Sequence, residues 1–406
     1  MKLYEGLRVL DFTGNIAGPT IGQWLVEYGA EVIHIEKPVL GDDSRYFPPI
    51  VDGESAHYHT YNHGKKSVTI DMKDPRGKAM IEKLCSSADI LLESSRPGVM
   101  DKLGFGYDAV HAWNPRLIYC SVSAFGQTGP YAGRPGYDII AQGASGMMYY
   151  NGDKNTGPVR VATEIGDYSA AVAGFGAINA ALYYRERTGE GQHLDISLTR
   201  VLTYMAAKFD YHRIFHKKAE KTGNHNAMLC PYGVFRCPDG ENLIIACANN
   251  NLAFQFFRLI GREDLIQDER FNSNPARCEH SAEMMPIVEE WLDRMGTAKE
   301  AERALLEAGI PCSKVYDYED VDNDPHYNAC GWLVDIPMPE SMKGLRSRRI
   351  VGSPFGFSAV QPEYHADSGF GGGNHEVLES LGYSAQEVDE IETEWAEAVK
   401  AAMKRK

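Results

Sequence analysis

Apolar residues in the first 125 positions fall in short runs separated by stretches of helical period. The run Leu7 to Phe12 leads into a glycine-bearing turn, Thr13 to Pro19, then a helix-period segment to Tyr28 and a second apolar run, Glu31 to Ile35. That order predicts a βαβ unit, with Pro19 suited to a first helical turn. Strands are also predicted over Ser67 to Asp71, Ile90 to Glu93 and Leu117 to Ser123, with a helix over Pro75 to Ser86. Alternating strands and helices predict an open α/β sheet. Gly126 to Gly136 reads as a long irregular segment of the kind that lines active sites. A helix from Tyr168 to Arg187 stops at Thr188-Gly189-Glu190-Gly191, and a strand follows over His193 to Ile196.

The pattern changes from about Gly223. Two short strands, Tyr232 to Phe235 and Asn242 to Ala246, enclose the turn Pro238-Asp239-Gly240 and precede helices, which predicts a second, smaller α/β domain. Thr297 with Glu300 forms a capping box for a helix to Glu307. Beyond Asp324-Pro325 come prolines, the basic residues Arg346, Arg348 and Arg349, a glycine-rich stretch Gly369 to Gly373, and an amphipathic helix Ala385 to Met403.

Composition narrows the function classes. The 406 residues carry 41 Lys+Arg against 56 Asp+Glu, a net charge of −15, which disfavours nucleic acid and anionic membrane surfaces as partners. A local basic cluster can still hold a small anion. Met1 to Gly6 lack a secretory pattern, and the longest uncharged stretch, Tyr168 to Tyr184, is short for a membrane span. Eight scattered cysteines without metal-ligand spacing read as reduced structural thiols of a cytoplasmic protein, with no metal site expected.

Glu36 ends the second strand where dinucleotide-binding folds keep a ribose-binding acid, but Gly14, Gly18 and Gly22 are spaced by four and do not make G-x-G-x-x-G. Metalloprotease, nucleophile-elbow and P-loop motifs are absent. Asp167 follows Gly166 and opens an apolar helix of small residues. There the helix dipole favours an ionised carboxylate, so its pKa is expected to stay low; a plain capping role is the ordinary alternative. Ser94-Ser95-Arg96-Pro97-Gly98 with Lys102 follows a predicted strand, where α/β sheets bind ligands, and Arg96 and Lys102 could hold phosphates or be merely solvated. Lys37, Arg45, Lys65 and Lys66 add weaker positive signals.

Taken in order, these segments resemble the class III coenzyme A transferase family, also called CaiB/BaiF or formyl-CoA transferase-like. The resemblance runs through Gly18-Pro19, Gly29-Ala30-Glu31-Val32-Ile33, Asn62-His63-Gly64-Lys65-Lys66-Ser67, Arg96-Pro97-Gly98, Gly126-Gln127-Thr128-Gly129-Pro130, Gly166-Asp167 and Thr188-Gly189-Glu190-Gly191-Gln192. Gly309-Ile310-Pro311-Cys312 and Asn323-Asp324-Pro325 continue it. The family implies a large Rossmann-like domain (1–205, completed by 331–406), a linker and small α/β domain (206–330), and an interlocked, ring-like homodimer. It implies Asp167 as catalytic nucleophile and coenzyme A contacts at Ala17, Lys37, Met72, Lys73, Ser95, Arg96, Lys102, Tyr137 and Asp138, with coenzyme A or acyl-CoA as substrate rather than tightly bound cofactor.

The implied reaction moves coenzyme A from an acyl-CoA donor to a free carboxylic acid through an aspartyl anhydride and an aspartyl thioester. Two departures stand out. Thr222-Gly223-Asn224-His225-Asn226 has one glycine where formyl-CoA transferase has a run, and Gly371-Gly372-Gly373-Asn374-His375 replaces the usual C-terminal segment. The rival within the superfamily is an α-methylacyl-CoA racemase, whose catalytic His would fall at Tyr137, a poor base at an unperturbed pKa of about 10. A non-catalytic coenzyme A binding protein is the rival outside enzymes.

Overall fold

The computed structural model describes residues 2–206 and 209–404. Six parallel strands form the main sheet: β1 (Arg8–Phe12), β2 (Glu31–Glu36), β3 (Lys66–Thr69), β4 (Ile90–Glu93), β5 (Ile118–Ser123) and β6 (His193–Ser197). Their spatial order is β3-β2-β1-β4-β5-β6, with Val9 paired to Val32 on one side and to Ile90 on the other. The chain therefore reverses its direction of travel across the sheet between β1 and β4, and crevices at such points are where α/β sheets bind ligands.

The central strands are buried on both faces, and apolar residues run together in them, with Asp11 and His34 as buried polar interruptions. One face packs Val9, Ile90 and Leu92 against α1 (Ala17–Glu27) and α5 (Ile165–Thr188). The other packs Leu10 and Leu91 against α3 (Pro75–Ser87) and the C-terminal helix α6 (Ala385–Lys404). Two shorter helices, α2 (Ala56–Asn62) and α4 (Asp138–Ala144), lie in connections of the same unit. None of the helices among the described residues is long and apolar enough to cross a membrane.

The glycines spaced by four on α1 have a packing cause. A Cβ on Gly18 would sit 2.3 Å from the Thr13 side chain, and one on Gly22 would sit 2.8 Å from the Asp11 carboxylate. Both lie on the helix face pressed against the end of β1. The C-terminal glycine run also has a structural role: Gly373 N–H donates to Ser67 O at 2.9 Å, Gly371 N–H to Ser67 Oγ at 2.9 Å, and Asn374 Oδ1 accepts Thr69 N–H at 2.7 Å. The returning chain thereby covers edge strand β3, whose backbone would otherwise be open to pairing.

The chain divides into two compact units, Met1–Met147 with Val161–Ala207 and Asn328–Lys406, and Met148–Arg160 with Lys208–Tyr327. Met148–Arg160, which the sequence division places within 1–205, clusters with the second unit. That unit is built on an antiparallel sheet of β7 (Tyr232–Arg236), β8 (Asn242–Ala246) and β9 (Cys312–Lys314), with helices Asn250–Leu259, Ser281–Met295 and Ala298–Glu307. The Thr297 side chain accepts the Glu300 N–H at the start of the last of these. The one-glycine segment lies along β7 through a His225–Gly233 bridge, where a Cβ on Gly233 would meet His225 Nδ1 at 2.3 Å. In the first unit, β10 (Leu333–Pro337) and β11 (Ser347–Val351) form an antiparallel hairpin that the sequence pattern does not reveal.

Lys65 ties the first unit together. Its ammonium is 1% exposed and donates to Asp11 Oδ2 at 2.8 Å, Pro19 O at 2.9 Å and Asn62 Oδ1 at 2.8 Å. Burial pushes the Asp11 carboxyl up, but Lys65 and His34 overcome it and hold the group well below the usual carboxylate range. Lys65→Met would strand that buried charge and is expected to cost about 3–5 kcal/mol near neutral pH. In urea titrations the gap from wild type should narrow as pH falls and the variant's Asp11 takes up a proton. An unchanged midpoint near neutral pH would refute this role.

Candidate active site

A cavity opens at the carboxyl ends of β1, β2 and β4. It is lined by the turn after β1 (Thr13 to Asn15), by Glu36 and Lys37 after β2, by Met72 after β3 and by Ser95 after β4. Three expected coenzyme positions, Lys37, Met72 and Ser95, thus face one space. Lys73 and Arg96 are exposed on the same two loops, Lys102 is exposed on the short helix that follows the second of them, and Ala17 is the buried first residue of α1. The loops are fastened to each other and to the sheet: Ser94 Oγ accepts Gly14 N–H at 3.0 Å, and Glu93 Oε2 accepts Ser95 N–H at 2.8 Å. Gly98 has φ +81°, a left-handed conformation that favours glycine, as the chain turns into helix Val99–Leu103.

Glu36 is not available to a ribose. It is buried, accepts two hydrogen bonds from Arg45 (2.7 and 2.6 Å), and also accepts from Tyr58 Oη, Ser67 Oγ and Asp42 N–H. Burial pushes its carboxyl up, but the Arg45 hydrogen bonds and His34 bring it down to about 2. The weaker positive signals resolve similarly: Arg45 is spent on Glu36, Lys65 on Asp11, and Lys66 on Glu31 and Glu376. Lys37 alone of the four lines the cavity.

The other expected residues gather at the start of α5. That helix begins at Ile165, after Glu164, so Asp167 sits in its first turn and does not cap it. The cap-like bond comes from Asp138, the buried first residue of α4, whose Oδ1 accepts Gly166 N–H at 2.7 Å while Oδ2 accepts from Gln142 Nε2 at 2.7 Å. Neighbouring Tyr137 is 70% exposed.

This arrangement overturns the expectation of a low Asp167 pKa. Burial, and then the carboxylates of Asp138 and Glu164, push it up to about 7. The dipole at the start of α5 is partly answered by Asp138, which adds a like charge beside Asp167. Two carboxylates sharing a site cannot both ionise freely.

Beside Asp167 lies a cluster that the sequence pattern did not single out. Tyr168 Oη and Tyr61 Oη are 2.5 Å apart, and the Tyr61 ring lies 4.9 Å from that of His57, which in turn lies 5.7 Å from Phe47. His57 Nε2 is buried without a hydrogen-bond partner. Arg348 on β11 braces the helix that carries His57 and Tyr61, donating from Nη1 to Ala56 O at 2.6 Å and to Thr60 Oγ1 at 2.5 Å. The sequence signal for this group is the basic run at 346–349, which lies on a strand of alternating exposure.

Comparison with known proteins shows which family the chain belongs to. The family model described as CoA-transferase family III matches residues 4–368. A succinate–glutarate CoA-transferase of Agrobacterium fabrum is 34% identical over 374 residues, covering 88% of this chain and 92% of the relative. An acetyl-CoA:oxalate CoA-transferase of Acetobacter aceti is 35% identical over 333 residues, covering 82% and 85%. Among solved structures, a CAIB/BAIF family protein from Brucella suis superimposes with a TM-score of 0.80 at 31% identity, covering 94% of this chain and 99% of its own. The chain belongs to CoA-transferase family III and is an enzyme of that class.

Proposed function

We propose that the enzyme moves coenzyme A between small dicarboxylic acids, with Asp167 as the covalent carrier. The observation that carries the reading is the half-buried Asp167 in the first turn of α5, whose carboxyl is pushed up to about 7. A more basic carboxylate is a stronger nucleophile once ionised, and at that value a large fraction is ionised at neutral pH. Relatives named for succinate, glutarate and oxalate support the acid class.

In the proposed sequence an Asp167 oxygen attacks the donor thioester carbonyl, the C–S bond breaks, and coenzyme A leaves as thiolate from a mixed anhydride. The thiolate then attacks the Asp167 carbonyl, expelling the donor acid as carboxylate and leaving an aspartyl thioester. The acceptor carboxylate attacks that thioester and expels the thiolate again. The thiolate finally attacks the acceptor's carbonyl in the second anhydride, releasing the new acyl-CoA and free Asp167. Each step exchanges one anion for another, so no net proton is needed.

Coenzyme contacts are proposed at Ala17, Lys37, Met72, Lys73, Ser95, Arg96, Lys102 and Tyr137, and Asp138 would act through the helix start that it holds. We also propose the interlocked homodimer. Exposed Ile139, Ile140, Val172, Tyr183 and Tyr204, on α4, α5 and helix Leu198–Met205, support it as surface that a partner would cover.

Incubation with acyl-CoA and hydroxylamine should convert Asp167 to a hydroxamate detectable by peptide mass mapping; an unmodified Asp167 in turning-over enzyme refutes the carrier role. Because only ionised Asp167 attacks, kcat/KM should rise with pH to a plateau with its midpoint near about 7. Glu164→Gln removes a like charge and should move that midpoint to lower pH. The raised carboxyl also costs stability: an unfolded Asp ionises near about 3.9, so stability falls as pH rises from there through about 7. Asp167→Asn should accordingly melt higher than wild type at mildly alkaline pH, by about 2–4 °C per kcal/mol relieved, with the difference vanishing in acid.

A further inference from the structure

We propose that His57 and Arg348 form the subsite that receives the far carboxylate of a dicarboxylic acyl group while its near end is carried on Asp167. This rests on the transfer reading above and adds to it the residues that would tell a dicarboxylic from a monocarboxylic acid.

His57 Nε2 is buried without a partner, an arrangement that costs free energy in the absence of a ligand. In the neutral tautomer with the proton on Nε2, that atom is a hydrogen-bond donor. Arg348 has no carboxylate ion pair among the described residues; its two hydrogen bonds go to the neutral acceptors Ala56 O and Thr60 Oγ1. Its charge is therefore held in place without being neutralised. The nearby carboxylates do not cancel it at His57: burial and then Arg348 lower the imidazole pKa, and these outweigh the opposing effects of Glu164 and Asp42.

The cluster is also connected to the nucleophile. The Tyr61 ring packs on His57, and its hydroxyl meets that of Tyr168, the residue after Asp167. The Tyr61 phenol is pushed up mainly by burial, with Glu164 and Asp167 raising it and Arg348 opposing them. An acyl chain extending from Asp167 along the Tyr61 and Tyr168 rings would bring a terminal carboxylate to an imidazole donor and a guanidinium, the pair suited to an anion. A methyl group at the same place would leave both polar groups without a partner, so discrimination would come from rejection as well as attraction.

The experiment compares two acceptors of equal chain length, glutarate and pentanoate, against one acyl-CoA donor. Wild type is expected to favour glutarate. His57→Phe keeps the ring packing against Phe47 and Tyr61 but removes the donor, and should lower the glutarate-to-pentanoate ratio of kcat/KM by about ten- to hundredfold, the worth of a hydrogen bond to a charged group. The change should fall mainly on the KM for glutarate. His57→Gln, which can still donate, should recover part of the ratio, and Arg348→Lys should retain more of it than Arg348→Gln. A wild-type preference for pentanoate, an unchanged ratio in His57→Phe, or equal losses on both acids would overturn the subsite. Hydroxylamine trapping in the same preparations separates the two readings: labelled Asp167 with an unchanged ratio sinks the subsite alone, whereas unlabelled Asp167 sinks the transfer reading beneath it.

Discussion

The buried pair between Asp11 and Lys65 is the constraint on which the ligand-binding end of the sheet depends. Lys65 lies just before β3, Asp11 near the end of β1, and the ammonium also holds the first turn of α1 through Pro19 O. The pair therefore fastens three elements at the place where the strand order reverses. With Lys65 and Asp11 so close, the α1 backbone must approach the strand closely, and Gly18 and Gly22 leave the room for it. A glycine pattern that resembles a damaged dinucleotide fingerprint is better understood as the imprint of this packing. Glu36, locked by Arg45, Tyr58 and Ser67, belongs to the same framework.

A different balance governs the start of α5. The helix terminus alone would favour an ionised Asp167, and in isolation that argument is sound. Asp138 alters it by taking the Gly166 N–H and bringing a second carboxylate close by, while burial removes the water that would have screened them. Asp138 arrives from 28 positions upstream of Gly166, so no local reading of the sequence around Asp167 could have anticipated the sign of the shift.

That contrast explains what the sequence made legible. The central strands are readable because burial on both faces brings apolar residues together, as in Ile90 to Leu92, and the end of α5 is readable because Gly189 adopts a left-handed conformation that favours glycine. The α2 helix, Ala-His-Tyr-His-Thr-Tyr-Asn, escaped notice because its buried side includes Tyr58, His59 and Asn62, which carry no aliphatic periodicity. Strand β11 escaped because its half-exposed alternation is written in arginines. Lys65 read as positive charge and is instead an interior strut, since its partners lie as far as 54 residues away. The proposed nucleophile and coenzyme positions are legible only through the family resemblance; elementary chemistry alone leaves Asp167 as an ordinary helix-start residue.

The raised carboxyl of Asp167 opposes folding near neutral pH, and the surrounding design suggests why a fold would retain it. Anhydride chemistry needs a carboxylate basic enough to attack a thioester yet shielded from the water that would hydrolyse its products. Full exposure would supply neither condition, and complete burial would keep the group protonated. Partial burial beside Asp138 would suit the proposed role, because like charge and desolvation raise basicity together while the side chain is not fully enclosed. In the proposed reaction the ring contacts of Tyr61 with Tyr168 and His57 would line the acyl chain with apolar surface. The reactivity of the carboxylate and the choice of acyl chain would thus come from neighbouring parts of one arrangement, with Glu164 acting on both Asp167 and His57.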